Sequence, residues 1–165
     1  MIAVLLSLCV SVPQALWMAK DQKNNLCKYE KVIIAESVKN KIDPSLLTAV
    51  IYVESAFRPK AVSRENACGL TQVVPKWTGG RETRNRHYSC LELKNPKTSI
   101  KVGARVLSYA IHVYSKGNID IGLCYYSSGT KCLTKKNYYK RSSYVKKVRR
   151  IWNKINEATK LRREL

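Results

Sequence analysis

The stretch Asp43-Pro44-Ser45-Leu46-Leu47-Thr48-Ala49-Val50-Ile51-Tyr52-Val53-Glu54-Ser55-Ala56-Phe57-Arg58-Pro59-Lys60-Ala61-Val62-Ser63 decides the fold. Asp43 can cap a helix, and Pro44 suits its first turn, where a missing N–H costs nothing. Leu46, Leu47, Val50, Ile51, Val53 and Phe57 then recur at helical spacing. Glu54 stands seven residues after Leu47, four after Val50 and three after Ile51, so it lies on or beside the apolar stripe. A carboxylate pushed toward a core is disfavoured when charged, and its pKa rises. A carboxylic acid that keeps its proton near neutral pH is what a general acid requires. The competing reading is a Glu at the edge of the stripe, paired with one of many Lys or Arg. Against that, Glu54 is the only acid between Pro44 and Lys60.

The helical pattern continues on both sides. Upstream, a helix is expected over about Lys28–Asn40, with Tyr29, Val32, Ile33 and Ala35 among its apolar positions. Downstream, Asn95 and Pro96 repeat the cap-and-proline start, and Ile100, Gly103, Val106, Leu107, Ala110, Ile111 and Tyr114 carry a stripe to Gly117. A short helix is expected over Asp120–Ser127. A last one starts near Ser142, with Val145, Val148, Ile151, Trp152 and Ile155 in phase. Between the second and third helices lies a long polar segment, Arg58–Lys94, and loops of that length are usually functional or disordered. Its cysteines, Cys68 and Cys90, favour an ordered one. The fold class is mainly α, in a single domain over 28–156 with a long loop region after the Glu54 helix.

The chain of 165 residues holds 31 Lys+Arg against 11 Asp+Glu, a net charge of +20. Its 45% hydrophobic content excludes a disordered chain, so the charge implies an anionic partner such as nucleic acid, an acidic membrane or a wall polymer. Residues 131–165 alone carry a net +11, and 157–165 read as a basic tail.

Ile2–Val12 is an apolar run of 11 residues, too short to span a bilayer. Residues 1–19 are expected to be a cleaved export signal, with Ala15 and Ala19 as candidate cleavage points. A retained anchor and a buried N-terminal segment are the alternatives. The six cysteines contain no CxxC and no Cys/His set with metal-ligand spacing, so no metal is expected. His87 near Cys90 is the closest approach to a site. In an exported protein the short separations suggest the disulfides Cys68–Cys90 and Cys124–Cys132. Cys27 is then left over, unless the leader stays on and Cys9 pairs with it. Plain buried thiols are the alternative.

The Asp43–Ser63 run resembles the first motif of the soluble lytic transglycosylase (SLT) domain, related to goose-type lysozyme. Gly69-Leu70-Thr71-Gln72-Val73-Val74-Pro75 resembles its second motif. Asn95-Pro96 with Ile100, Gly103 and Leu107 resembles the third, and Leu123-Cys124-Tyr125-Tyr126-Ser127-Ser128-Gly129 the fourth. Tyr144-Val145 matches the opening of the closing helix. The five motifs run in order over about residues 30–155. Two departures stand out: Thr71 replaces the usual Met, and Ser127 the usual Asn.

The resemblance implies a lysozyme-like fold and a peptidoglycan lytic transglycosylase without cofactor. Glu54 would protonate the bridging oxygen of a MurNAc-β-1,4-GlcNAc link, and the sugar's acetamido carbonyl would stabilise the cationic centre. The same carboxylate would then take the proton of the sugar's 6-hydroxyl, closing a 1,6-anhydro ring without water. Tyr126 would orient Glu54, and Gln72, Thr71 and Ser127 would line the sugar groove. Ser55 would touch substrate or simply bond the backbone, and Gly69 would allow a tight turn beside the groove. The expected partner is peptidoglycan, reached by export to the periplasm or by delivery from a phage, with a phage particle or a secretion apparatus as further partners and the chain a monomer. Two other readings remain. One is hydrolysis on the same fold, with Glu65 or Glu82 positioning a water. The other is a non-catalytic cationic binder of wall, DNA or lipid through Lys135–Lys154 and its interleaved aromatics; no recognised nucleic-acid motif supports DNA.

Overall fold

The computed structural model describes residues 7–135 and 137–161. Nine α-helices are found among them, and the pairings outside helices are two isolated bridges, Val62 to Cys68 and Cys68 to Val73. The central helix is α3, Pro44–Ser55, started as expected by Asp43, whose carboxylate accepts from the Ser45 N–H at 2.7 Å. Leu46, Leu47, Ala49, Val50 and Ile51 are all buried, so α3 is covered on most sides. It stops after Ser55, because Ala56 and Phe57 both turn left-handed, at φ 49° and 60°. This conformation is strained for residues with a Cβ. Burial of Phe57 at 0% exposure, and an Asn25 Nδ2 bond to its carbonyl (3.1 Å), hold it in place. Phe57 therefore anchors the turn after α3 and is not part of its stripe.

Two helices precede α3. The first, α1, is Leu8–Leu16, and α2 is Lys20–Lys39, starting eight residues before the expected Lys28. Gln22 explains the early start: its side chain accepts the Ala19 N–H at 3.0 Å and caps α2. The apolar run read as a leader or anchor is, from Ser7 onward, a packed element; residues 1–6 lie outside the described residues. Leu8, Val12 and Leu16 enter the main core, against α2 and α9. Glu30 of α2 caps α1 by accepting from the Ser7 hydroxyl (2.9 Å) and the Cys9 N–H (3.1 Å). Cys9 is disulfide-bonded to Cys27, so Cys27 is not left over. No described helix is long and apolar enough to cross a membrane.

Residues 58–94 form the expected long connection, with single 3₁₀ turns at Pro75–Trp77 and Arg81–Thr83 and the short α4, Cys90–Leu93. The Cys68–Cys90 disulfide and a small core of Cys68, Val73, Tyr88, Leu93 and Val102 order it. Helix α5, Pro96–Tyr109, is capped by Asn95. It does not run on to Gly117 as an α-helix: Ala110–Tyr114 widen into a π-turn, where the Ser115 N–H reaches the Ala110 carbonyl at 3.1 Å. Helix α6, Ile119–Ser128, follows its Asn118 cap, and the Cys124–Cys132 bond ties it to α7, Lys131–Thr134. The short α8, Tyr138–Arg141, leads to α9, Ser143–Leu161, which packs against α1, α3 and α6. Residues 157–161 of the expected tail belong to α9, and 162–165 lie outside the described residues. All six cysteines are paired, so none is a plain buried thiol.

Candidate active site

Glu54 occupies the last turn of α3, on the side facing α9. Tyr144, in the first turn of α9, donates its phenol to Glu54 Oε1 at 2.6 Å. Burial dominates at this carboxyl and pushes its pKa from 4.5 up to about 7. The Tyr144 bond and the charge of Lys147, one turn further along α9, pull the other way and do not cancel it. Burial, then the nearby carboxylate, also raises the Tyr144 and Tyr126 phenols, so both stay neutral donors. Tyr126 donates its hydroxyl to the Thr71 carbonyl at 2.7 Å. It stands near enough to Glu54 to feel its charge, yet the residue that holds the carboxylate is Tyr144. The sequence had Tyr144 only as part of a motif, but a phenol in phase with the stripe of the closing helix was the available signal.

The second motif wraps the end of α3. Gly69 has φ 77°, and a Cβ there would stand 1.9 Å from the Leu93 carbonyl oxygen. Only glycine fits, and the turn it permits sends Thr71 inward. Thr71 is fully buried, bonded through N–H and hydroxyl to Ser99 at 3.1 and 2.9 Å. It packs against Gly103, whose missing Cβ leaves room for the Thr71 side chain. Thr71 is therefore packed inside, and Gly69 shapes the turn that puts it there. Ser55 is also not at the surface. It is 1% exposed, and its hydroxyl donates to the Leu70 carbonyl at 2.8 Å, with Ile51 O at 3.2 Å as a longer acceptor. It ties α3 to the second motif.

Gln72 is half-buried with φ 49°, and its amide donates to the Ala61 and Gly69 carbonyls at 3.1 and 2.9 Å. Ser127 is exposed at the end of α6, its hydroxyl donating back to the Cys124 carbonyl at 3.1 Å. The structure thus brings together Glu54, Tyr144 and Tyr126, with Thr71 beneath, while the Ser127 hydroxyl bonds to Cys124 and Ser128 instead. Glu65 is exposed in the loop, and Glu82 is half-buried with its carboxylate beside Gly80. No hydrogen bond among the described residues joins either of them to Glu54, whose carboxyl is held by Tyr144. No cluster of metal-ligating side chains occurs among the described residues.

A part-buried acid on a capped helix, met by a phenol from a closing helix, is a specific arrangement, and comparison with known proteins gives it a family. The family model described as "Transglycosylase SLT domain" matches residues 31–148. The chain belongs to that family. The SLT match contains Glu54, Tyr126, Tyr144 and Lys147, whereas α1 and the Cys9–Cys27 bond lie outside it. Over 150 residues the chain is 31% identical to membrane-bound lytic murein transglycosylase E of Buchnera aphidicola, covering 86% of this chain and 65% of that protein. Over 72 residues it is 43% identical to endo-type membrane-bound lytic murein transglycosylase A of Klebsiella pneumoniae, covering 41% of this chain and 35% of that one. The SLT chain thus spans about two thirds and one third of these curated relatives. The X-ray structure of an inactive mutant of lytic transglycosylase Slt from Pseudomonas aeruginosa superposes with a TM-score of 0.62 at 20% identity, over 91% of this chain and 28% of that one. The mainly α, lysozyme-like fold expected from the sequence is therefore the one observed.

Proposed function

We propose that the protein is a peptidoglycan lytic transglycosylase that cleaves the MurNAc-β-1,4-GlcNAc bond and leaves a 1,6-anhydroMurNAc end. The observation that carries this is the single carboxyl of Glu54, part-buried, held by Tyr144 and tuned to about 7. An acid with that pKa is close to half protonated at neutral pH, which suits a group that must first give and then take a proton. Glu54 donates to the bridging oxygen as the C1–O bond breaks, and the substrate's acetamido carbonyl stabilises C1. The carboxylate, anchored by Tyr144, next removes the 6-hydroxyl proton as O6 bonds to C1. Tyr126 and Gln72 border the sugar site, and Ser127 contacts the glycan at its rim.

Three disulfides pair all six cysteines, which suits an oxidising compartment and hence action at the cell envelope. The exposed cations Lys140, Arg141, Lys146, Lys147, Arg150 and Lys154 give α8 and α9 a basic face for an anionic wall. The test is turbidity loss on purified peptidoglycan, with Glu54→Gln as the control. The parent clears the wall and the variant does not; equal clearing by both would overturn the role of Glu54.

A further inference from the structure

Away from Glu54, a depression of about 180 Å³ lies between α5, the π-turn and the Arg81–Thr83 turn. Arg81, Arg84 and Arg105 line it together with Glu82, Tyr109 and His112. The two ion pairs among the described residues, Arg86–Glu92 and Arg149–Asp120, use none of these three arginines. Glu82 is the one acid of the lining, and its carboxylate folds back over Gly80. Arg105 is half-buried in the wall of the depression, while Arg81 and Arg84 are exposed at it. Oxyanions are the natural acceptors for guanidinium N–H groups, because their paired oxygens match the fork of donors.

A line of aromatic rings runs from the depression toward α6. Tyr109 meets Tyr114 edge-on at 5.1 Å, and Tyr114 stacks on Tyr125 at 4.2 Å. Tyr125 precedes Tyr126, the phenol beside Glu54. The π-turn sets this line, since its extra residue turns Tyr114 toward α6. Meanwhile His112 is fixed at the rim by a 3.0 Å contact with the Lys41 carbonyl.

We propose that the Arg81, Arg84 and Arg105 pocket binds an oxyanion carried by the wall polymer. The group is a carboxylate of a peptide stem or a phosphate of an anionic wall polymer. The proposal rests on the lytic transglycosylase reading for its ligand but not for its binding chemistry. The test therefore has two arms. In the first, the full chain is titrated with inorganic phosphate and, separately, with a free-carboxylate stem peptide and its amidated form. At least one anion should bind the parent saturably and bind Arg105→Gln and Arg84→Gln about tenfold more weakly. Arg84 is exposed, so its variant keeps the test valid should Arg105→Gln fold poorly. If neither anion binds the parent more tightly than Arg84→Gln, the proposal is overturned. In the second arm, turnover is measured on glycan strands with and without stem peptides. Arg84→Gln should raise KM several-fold on peptide-bearing strands and leave kcat and the peptide-free KM unchanged if the carboxylate is the ligand. Unchanged KM on both, with weakened phosphate binding, assigns the pocket to phosphate. A parent inactive on both strands overturns the function reading, while the titrations still decide the pocket.

Discussion

Replacing Tyr144 with Phe tests the account of Glu54 through both rate and pH. The phenol donates to Glu54 Oε1 at 2.6 Å and lowers a pKa that burial has raised to about 7. A hydrogen bond to a charged group contributes about 1.5–3 kcal/mol, against about 1 for a neutral one. Its removal thus disfavours the anion by about 1 kcal/mol more than the acid, or roughly one pH unit. The alkaline limb of kcat/KM, which reports the free enzyme's acid, should move from about 7 to about 8. The maximal rate should fall at the same time, by about tenfold or more, because the carboxyl loses the bond that aims it. The assay is release of soluble muropeptides from purified sacculi across the pH range. Lys147→Met should move the limb the same way by less, and added salt should erase that difference, since Lys147 is exposed. An alkaline limb that stays in place or moves down in Tyr144→Phe would refute the reasoning.

Other predictions concern stability and the loop. Between pH 4.5 and about 7 folded Glu54 keeps a proton that the unfolded chain has lost, so its contribution to stability falls as pH rises through that window. Glu54→Gln should therefore gain on the parent by up to about 3 kcal/mol at pH 8 and little at pH 4, as read by denaturant melts. Ser55→Ala leaves the buried Leu70 carbonyl without its 2.8 Å donor and should cost about 1–3 kcal/mol, with a small change in KM. A large rise in KM would return Ser55 to the groove. Replacing Cys68 and Cys90 together by Ala opens a link of sequence separation 22 and should lower stability by about 3 kcal/mol, with activity lost on mild heating before the parent's.

Local chemistry made much of this fold legible. Asp43-Pro44 and Asn95-Pro96 start helices through bonds within two or three residues, and both starts are where the sequence puts them. Glu54 was legible for the same reason, since its place on the stripe follows from spacing alone. What was not legible depends on distant partners. The apolar run of α1 carries no local sign of the Glu30 cap or the Cys27 bond that tie it to α2. Ser55 and Thr71 are polar residues in a motif that faces a groove, and nothing nearby in sequence says that Leu70 and Ser99 will take their hydroxyls inward. Tyr144 stands 90 residues from Glu54, so its bond to the carboxyl had no local trace. The π-turn at Ala110–Tyr114 reads as plain helix by periodicity, because one extra residue shifts the stripe too little to see.

The central claim is that one carboxyl, Glu54, both gives and takes the proton in breaking the glycan. Mass spectrometry of the muropeptides released from purified peptidoglycan tests it most directly. The account predicts anhydro ends, one water lighter than hydrolysed products, from the parent and no release by Glu54→Gln. Fully hydrolysed ends, or anhydro ends released equally well by the Gln variant, would contradict it.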